Sequence, residues 1–563
     1  MTAAGRRTEH QRATGAVRAV LTNVGLLRIV GGWSFGIAGD QALVVAILII
    51  AFVQGGPVAV GLFGLVRIAP SIIAGPLVAR PASRYPATRL LLAAQLVRAI
   101  VAVAAVGVIL AGGWLPGLFI VNAIGATAGA LVRPFQATAL PSLARTPSEL
   151  VAANLALATG EGLGGFGGPL LAGILVAVSG PPAAAVAGMV LFGLATLSMV
   201  GLGGSADEAA EAAAERRARE MVAARRASGS ALGGLTAGLH VARARPGAAA
   251  LLVGLGSQVV TRGLMSALIT AASFDLLGLG EPGVGTLNAA WGLGGLIGAL
   301  AAVSLASRSH LGPAFAISLV AWGLPLSVIG VVPLPVVAFA AMFVSGAGNA
   351  TLDISGFTLL QRTVPSVDRM AIFVLLEQIV GVSLAIGSIL GPVLLLGLGD
   401  RGALIVAGTF TSIAVLVTWR RIRRVDADAV VPAEAVAILR SSPMFERLPM
   451  TALERLAESM RPVTYAPDSE IIREGEAGDT YMIIGSGRVE VSVTGHRVAE
   501  LGPGQAFGEI ALLRGVPRTA TVRAIDAVTI HVIPVTDFQE AIAGPTSAAI
   551  AHRVASETLA RGA

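Results

Sequence analysis

The sequence contains no cysteine and no lysine, and it is poor in charge and in aromatic rings. Without cysteine there is neither a disulfide framework nor a thiolate metal site. The six histidines are scattered and make no ligand cluster. Charged residues fill 13% of the 563 positions, too few to coat a soluble protein of this size. All 40 basic residues are Arg, which with the excess of Ala, Gly and Val points to a GC-rich genome rather than a function. The net charge of +7 and the pI near 11.0 raise a nucleic-acid reading, which the distribution rejects. The arginines form no patch; they recur at the ends of apolar spans.

What is present is apolar sequence: 55% of residues are hydrophobic and the mean hydropathy is +0.79. Twelve spans can be drawn, at about 26–53, 57–79, 88–111, 115–139, 150–178, 183–203, 248–274, 283–306, 312–332, 334–361, 371–396 and 401–419. Each is long enough for the ~20 residues that a bilayer crossing needs. Loops rich in Arg alternate with loops of little or no charge. Arg6, Arg7, Arg12 and Arg18 precede the first span, and Arg80, Arg84 and Arg89 follow the second. Arg145, Arg216, Arg308, Arg362 and Arg420 mark every second loop after that. By the positive-inside rule both termini are cytoplasmic. The first span lies too far in, with too many behind it, to be a cleaved signal peptide.

Two halves are suggested by an internal repeat. Gly164 to Pro169 and Gly387 to Pro392 both read Gly-x-x-x-Gly-Pro, late in each half. Small residues four apart let helices approach closely, and parallel repeats are a transporter design. The body, residues ~20–420, resembles the major facilitator superfamily. Gly164 to Gly173 is similar to the fifth-helix motif of its drug:proton antiporter branch, with Ala172 where Gly is usual. Gly75 to Arg84 matches the superfamily's signature loop only in part, with Ala79 and Ala82 in place of the usual Asp and Gly.

Asp40, Arg67, Arg98, Arg133, Glu161, Arg262, Asp353 and Glu377 fall within or near the edges of apolar spans. There an ionisable group is costly unless paired or wetted, so each is a functional candidate. The resemblance implies that the first, fourth, seventh and tenth spans line a cavity. Asp40 and Asp353 then face the substrate path with Arg133 and Arg262 as partners, and Glu161 and Glu377 sit between the halves. A carboxylate desolvated as a cavity closes takes up a proton, the chemistry a proton-coupled antiporter needs. Gly162-x-Gly164-x-x-Gly167 matches a dinucleotide fingerprint but lies in an apolar helix with no strand before it, so it reads as packing.

After Arg424 the composition becomes polar. Short helical patterns from Ala433 give way, from Val463, to short strands separated by Gly turns, and helical patterns return after Thr536. The run Phe507 to Val522 combines a Gly turn, an acid, apolar residues and Pro-Arg-Thr-Ala. These are the parts needed to hold a ribose hydroxyl and a phosphodiester. With the Glu474 to Asp479 turn and the Ile484 to Val489 run, it resembles the cyclic nucleotide-binding domain family along ~433–560. The resemblance implies that Glu509 binds the ribose 2′-hydroxyl and Arg518 the cyclic phosphate. Backbone amides near Gly508, Ile510, Ala511, Thr519 and Ala520 complete the anion site, and a last helix with His552 and Arg553 forms a lid over the base.

The expected fold is an all-α polytopic membrane bundle of twelve transmembrane helices in two six-helix halves, followed by a small α+β domain with a β jelly roll or barrel. Its parts are a cytoplasmic tail (1–23), the first half (24–203), a central cytoplasmic loop (204–247) with a surface helix, the second half (248–420), a linker (421–432) and the nucleotide-binding domain (433–563). The expected function is secondary transport in the cell inner membrane: proton-coupled export of a small molecule, biased by cyclic nucleotide, with cAMP favoured over cGMP. The expected partners are the lipid bilayer, the nucleotide, the substrate and protons, with no nucleic acid, metal or cofactor and no enzymatic activity. The alternatives are a non-transporting receptor or scaffold for the nucleotide, and a carrier of the nucleotide itself.

Overall fold

The computed structural model describes residues 22–542, apart from 80–84, 144–146, 203–230, 307–310, 426–432 and the single positions 365, 443, 446, 447, 449 and 515. The N-terminal arginines, Arg80, Arg84, Arg145, Arg308, most of the central loop and the lid helix lie outside the described residues. The chain divides into two compact units, Met1–Asp428 and Ala429–Ala563.

The first unit is helical: α1 (Val24–Ala79), α2 (Ala87–Leu110), α3 (Leu115–Leu143), α4 (Pro147–Ser179), α5 (Pro181–Met199), α6 (Ala231–Ala244), α7 (Pro246–Ala271), α8 (Gly280–Ala306), α9 (Gly312–Val331), α10 (Pro335–Thr363) and α11 (Ser366–Val425). Among the described residues ten of these, all but α6, are long and apolar enough to cross a membrane, not the twelve expected. Two expected boundaries are not helix ends. The chain turns inside α1 at Gly56 (φ 60°, ψ −159°) and inside α11 at Gly399 (φ 67°, ψ 176°), a backbone region essentially open only to glycine. The turn in α1 is a reversal. Asp40 and Arg67 are 27 residues apart, which in a straight helix would be ~40 Å, yet they form an ion pair at 2.8 Å.

The repeated Gly-Pro motifs have matching roles. A Cβ on Gly164 would lie 2.9 Å from the Ser34 carbonyl oxygen, and one on Gly168 2.5 Å from that of Ala38, so α4 packs closely on α1. A Cβ on Gly387 would collide with the Val260 carbonyl oxygen, and one on Gly391 would lie 3.2 Å from Ala267 Cβ, so α11 packs in the same way on α7. Large apolar side chains such as Val178, Leu396, Leu416 and Val417 are more than two-thirds exposed on the helix exteriors, where lipid rather than water suits them.

The second unit begins with α12 (Ala433–Ser441) and α13 (Met450–Ser459). The strands are β1 (Arg461–Tyr465), β2 (Glu470–Ile472), β3 (Thr480–Ser486), β4 (Val489–Val493), β5 (His496–Leu501), β6 (Ala506–Phe507), β7 (Thr521–Ala524) and β8 (Val528–Pro534). Two more helices, α14 (Glu509–Arg514) and α15 (Val535–Ile542), complete it. No barrel or jelly roll forms. The strands make two antiparallel four-stranded sheets, ordered β1-β8-β3-β6 and β2-β7-β4-β5, and no described ladder joins them. The strands nearest to closing such a structure are too short: β6 has two residues, and β2 has three with a register break between Glu470 and Ile472.

The alternation along β3 builds both cores of this unit. Tyr481 and Ile483 point to the helices, where Tyr481 stacks on Phe538 (ring centroids 4.8 Å apart) and meets the edge of Phe445 at 5.3 Å. Met482 and Ile484 point the other way, into a cluster with Val489, Phe507, Val522 and Ile530 shared by the two sheets.

Candidate functional site

In the second unit, β6 ends at Phe507 and the chain turns at Gly508, whose φ of 92° is a left-handed value that favours glycine. Glu509 then opens α14, and the loop before β7 brings back Arg518. Both side chains are buried, each with 5% of its surface exposed. Arg518 donates from Nη1 to the Gly508 carbonyl (2.9 Å), and from Nη2 to the Thr480 carbonyl (2.8 Å) and Oγ1 (3.0 Å). Nε–H and one Nη1–H are left over from its five donors. Its backbone is also pinned: the Arg518 N–H donates to the Glu476 carbonyl at 2.7 Å, and the Gly475 N–H donates to the Arg518 carbonyl at 2.8 Å.

The Glu474 to Asp479 turn and the Pro-Arg-Thr-Ala run therefore close on each other. A Cβ on Gly478 would lie 2.6 Å from Ala511 Cβ and 3.1 Å from Arg518 Nε, so only glycine permits the approach. Burial pulls the Arg518 guanidinium down from its usual range, opposed by the carboxylates of Asp479, Glu476 and Glu509. Around this pair Ala511 is buried, Ile510 and Ala520 are half-buried and Thr519 is exposed. Gly478 belongs to the Glu474 to Asp479 turn read from the sequence, but Thr480, which also positions the arginine, escapes sequence reasoning. Thr480 merely follows the Glu-Gly-x-x-Gly-Asp turn, and its use depends on the pairing of β3 with β6 through Met482 and Phe507.

In the first unit the intramembrane charges pair, though not all as expected. Asp40 meets Arg67 at 2.8 Å and Arg98 at 3.5 Å rather than Arg133. Arg98 is further held by the Gly36 carbonyl (3.3 Å), Gln95 Oε1 (3.2 Å) and the face of Phe192 (4.6 Å). Arg133 pairs with Glu161 and lies 5.4 Å from the Trp33 ring. Arg262 reaches Asp353 at 3.6 Å and donates to Asn349 Oδ1 at 2.6 Å. Gln258 completes that network, donating to Asn349 Oδ1 (2.9 Å) and Asp353 Oδ1 (2.7 Å). The missed residues carry a readable signal. Gln258 with Arg262, and Asn349 with Asp353, are polar pairs four apart on one face of otherwise apolar helices.

A cavity of about 550 Å³ lies among these elements, lined by Arg67 of α1, Arg262 of α7, Trp291 of α8, Trp322 of α9 and Glu377 of α11. Glu377 is exposed there and joins no ion pair among the described residues. A larger groove of about 700 Å³ between α9, α10 and α11 is lined by apolar residues such as Leu324, Val336 and Val344, and no charged residue lines it.

The Major Facilitator Superfamily profile matches residues 249–466, and the cyclic nucleotide-binding domain profile matches residues 462–544. A cyclic nucleotide-gated potassium channel of Rhizobium etli is 37% identical over 124 residues, covering 22% of this chain and 34% of the channel. The acetyltransferase Pat of Mycolicibacterium smegmatis is 47% identical over 85 residues (14% of this chain, 25% of that protein). A cAMP-dependent protein kinase regulatory subunit of Dictyostelium discoideum is 40% identical over 100 residues (16% and 29%). The chain thus spans a quarter to a third of the length of these relatives. Neither matching family is catalytic. The chain thus joins a region that matches the Major Facilitator Superfamily to a C-terminal region that matches the cyclic nucleotide-binding domain family.

Proposed function

We propose that the protein is a multi-pass secondary transporter of the inner membrane whose C-terminal domain, residues 433–563, binds cyclic nucleotide and biases transport. The observation that carries this reading is the burial of Glu509 and Arg518 in one cassette on the same chain as a polar intramembrane cavity. A buried guanidinium with donors to spare suits a phosphodiester monoanion, and a buried carboxylate suits a ribose hydroxyl. Gly508, Ile510, Ala511, Thr519 and Ala520 supply the surrounding backbone. cAMP is the favoured nucleotide, in keeping with the regulatory subunit among the similar proteins.

Export with proton coupling is the transport mode proposed. Of the four acids, Glu377 is the best placed proton carrier, because it lines the cavity and is held in no described ion pair. Asp40, Glu161 and Asp353 are each paired with arginine. Both termini face the cytoplasm in this reading. The natural absence of cysteine allows single introduced cysteines to report it by membrane-impermeant labelling.

Nucleotide can shift transport only by its differential affinity for the inward- and outward-facing states, worth ~1–3 kcal/mol or about 5- to 150-fold. The deciding experiment measures cAMP and cGMP affinity of the full-length protein, free and locked in each state by cross-links, beside Arg518→Ala. Equal affinity in both locked states would sink regulation. Absence of binding that depends on Arg518 would sink the sensor.

A further inference from the structure

Two apolar grooves on the outside of the first unit share a wall. The groove of about 700 Å³ between α9, α10 and α11 is lined by Ala, Val, Ile, Leu, Pro and Trp alone. A second, of about 560 Å³, lies between α8, α9 and α10. Ile317, Ala321 and Val344 line both. Ile317 is 69% exposed and Val344 45%, so both grooves open on the exterior, where lipid lies. Ser318 and Thr351, the polar side chains among the described lining of the second groove, hydrogen-bond each other at 2.8 Å. Neither groove shares a lining residue with the polar cavity.

Length and charge narrow the occupant. The α9 wall of the first groove runs from Ala316 to Val328, ~18 Å at the helical rise, a little more than half of a ~30 Å hydrocarbon core. The end of α11 lies antiparallel to α9, with Ser327 Oγ donating to the Ile405 carbonyl and Gly323 against Thr411, so Val415 and Trp419 stand at the Ala316 end. The second groove starts at the same end, at Pro313 and Ala314. That end is basic. α11 finishes with Arg420, Arg421, Arg423 and Arg424, all exposed and none in an ion pair among the described residues. Arg423 lies one turn beyond Trp419, its guanidinium 5.8 Å from the indole centre. Asp368 at the start of α11, with Asp426 and Asp428 further along the sequence, does not balance these four together with Arg362 and Arg369. We propose that the two grooves hold the two acyl chains of one anionic phospholipid, whose phosphate meets Arg423 at their common end. Two chains need two adjoining slots, and the first slot has the length of a chain in one leaflet. A zwitterionic lipid offers the same phosphate but cancels it with its own ammonium, so the excess of arginine selects a headgroup of net negative charge. The site requires neither transport nor nucleotide binding.

The test titrates the full-length protein, purified in detergent, with dioleoyl phosphatidylglycerol, dioleoyl phosphatidylcholine and dihexanoyl phosphatidylglycerol, and counts bound copies by native mass spectrometry. One dioleoyl phosphatidylglycerol binds about 5- to 10-fold more tightly than the phosphatidylcholine. The short-chain lipid binds at least about tenfold more weakly than its dioleoyl counterpart. Arg423→Gln removes the headgroup preference, whereas Arg89→Gln, at an exposed position of α2 that lines neither groove, leaves it intact. Val344→Trp fills the wall common to both grooves and weakens the two dioleoyl lipids by the same factor. Equal affinity for the two headgroups, or for the long and short chains, would overturn the proposal, and both comparisons use the natural protein. So would an unchanged preference in Arg423→Gln, or a loss in Arg89→Gln as large, because general basicity would then account for the binding. Unchanged affinity in a folded Val344→Trp protein would remove the grooves as the seat of the chains.

Discussion

Replacing Arg518 by Lys tests whether the cassette works by geometry or by charge. Lys keeps the positive charge but presents it from one point, without the planar fork of a guanidinium. Arg518 reaches two places at once, the Gly508 carbonyl at 2.9 Å and the Thr480 carbonyl at 2.8 Å, and still has two N–H groups for an anion. An ammonium cannot span both carbonyls and also face a phosphodiester. The variant forfeits hydrogen bonds to a charged ligand worth ~1.5–3 kcal/mol, or about 10- to 150-fold in cAMP affinity. It also leaves a buried carbonyl short of its donor, a further loss of ~1–3 kcal/mol in stability. Calorimetric titration of cAMP into the full-length protein, at one fixed salt concentration, reads the first quantity for Arg518→Lys beside Arg518→Ala. The two should fall close together, both far below the natural protein. A Lys variant within about threefold of the natural affinity would refute the reasoning, because the charge alone would then account for binding.

Gly508→Ala should cost ~1–3 kcal/mol of stability, since the residue has φ of 92° and a Cβ would sit 2.6 Å from Arg518 Nη1; unchanged thermal unfolding and cAMP affinity would contradict this. Gly387→Leu should strip the protein of monodisperse behaviour in size-exclusion chromatography by forcing α11 off α7. Gly397→Leu, at a position with open space, should not. Burial pushes the Tyr481 hydroxyl above its ordinary value, so its contribution to stability is whole below about pH 10 and is lost as pH rises through the folded value. Spectrophotometric titration of tyrosinate should therefore show a late, steep phase that coincides with unfolding and disappears in Tyr481→Phe. An early, shallow titration of all three tyrosines would count against it.

The membrane region was legible in the sequence because apolar runs and Arg-marked ends follow directly from the physics of a bilayer. Its helix count was not. Gly56 and Gly399 lie where spans were divided, but a single left-handed glycine interrupts a helix without ending it as a capped terminus would. The pairing of Asp40 with Arg67 and Arg98 was hidden for a related reason, since it requires the reversal at Gly56 and the packing of α2. In contrast, the i,i+4 pairs Gln258–Arg262 and Asn349–Asp353 were visible and could have led to the network. The cassette residues stood out by order and spacing, while the groups that hold Arg518 are mostly backbone carbonyls, which no sequence displays. The expected barrel failed at β2 and β6. Alternation and Gly turns reveal strands, but ladder closure depends on strand length and register.

The clamp on Asp40 bears on how the chain is made. Arg67 and Arg98 enter the bilayer on separate segments; Arg67 has its anion once α1 has reversed, and Arg98 once α2 has docked against it. α1 can therefore pair Arg67 within itself once it has reversed, whereas α2 brings in Arg98 and depends on α1 for its anion. α2 should accordingly be held in the bilayer less firmly when Asp40 is lost. Asp40→Asn would leave two guanidinium groups competing for one neutral amide. Truncated chains ending after α2 should then shift from integrated to alkali-extractable, whereas chains carrying Glu161→Gln, whose partner Arg133 is largely exposed, should integrate as before.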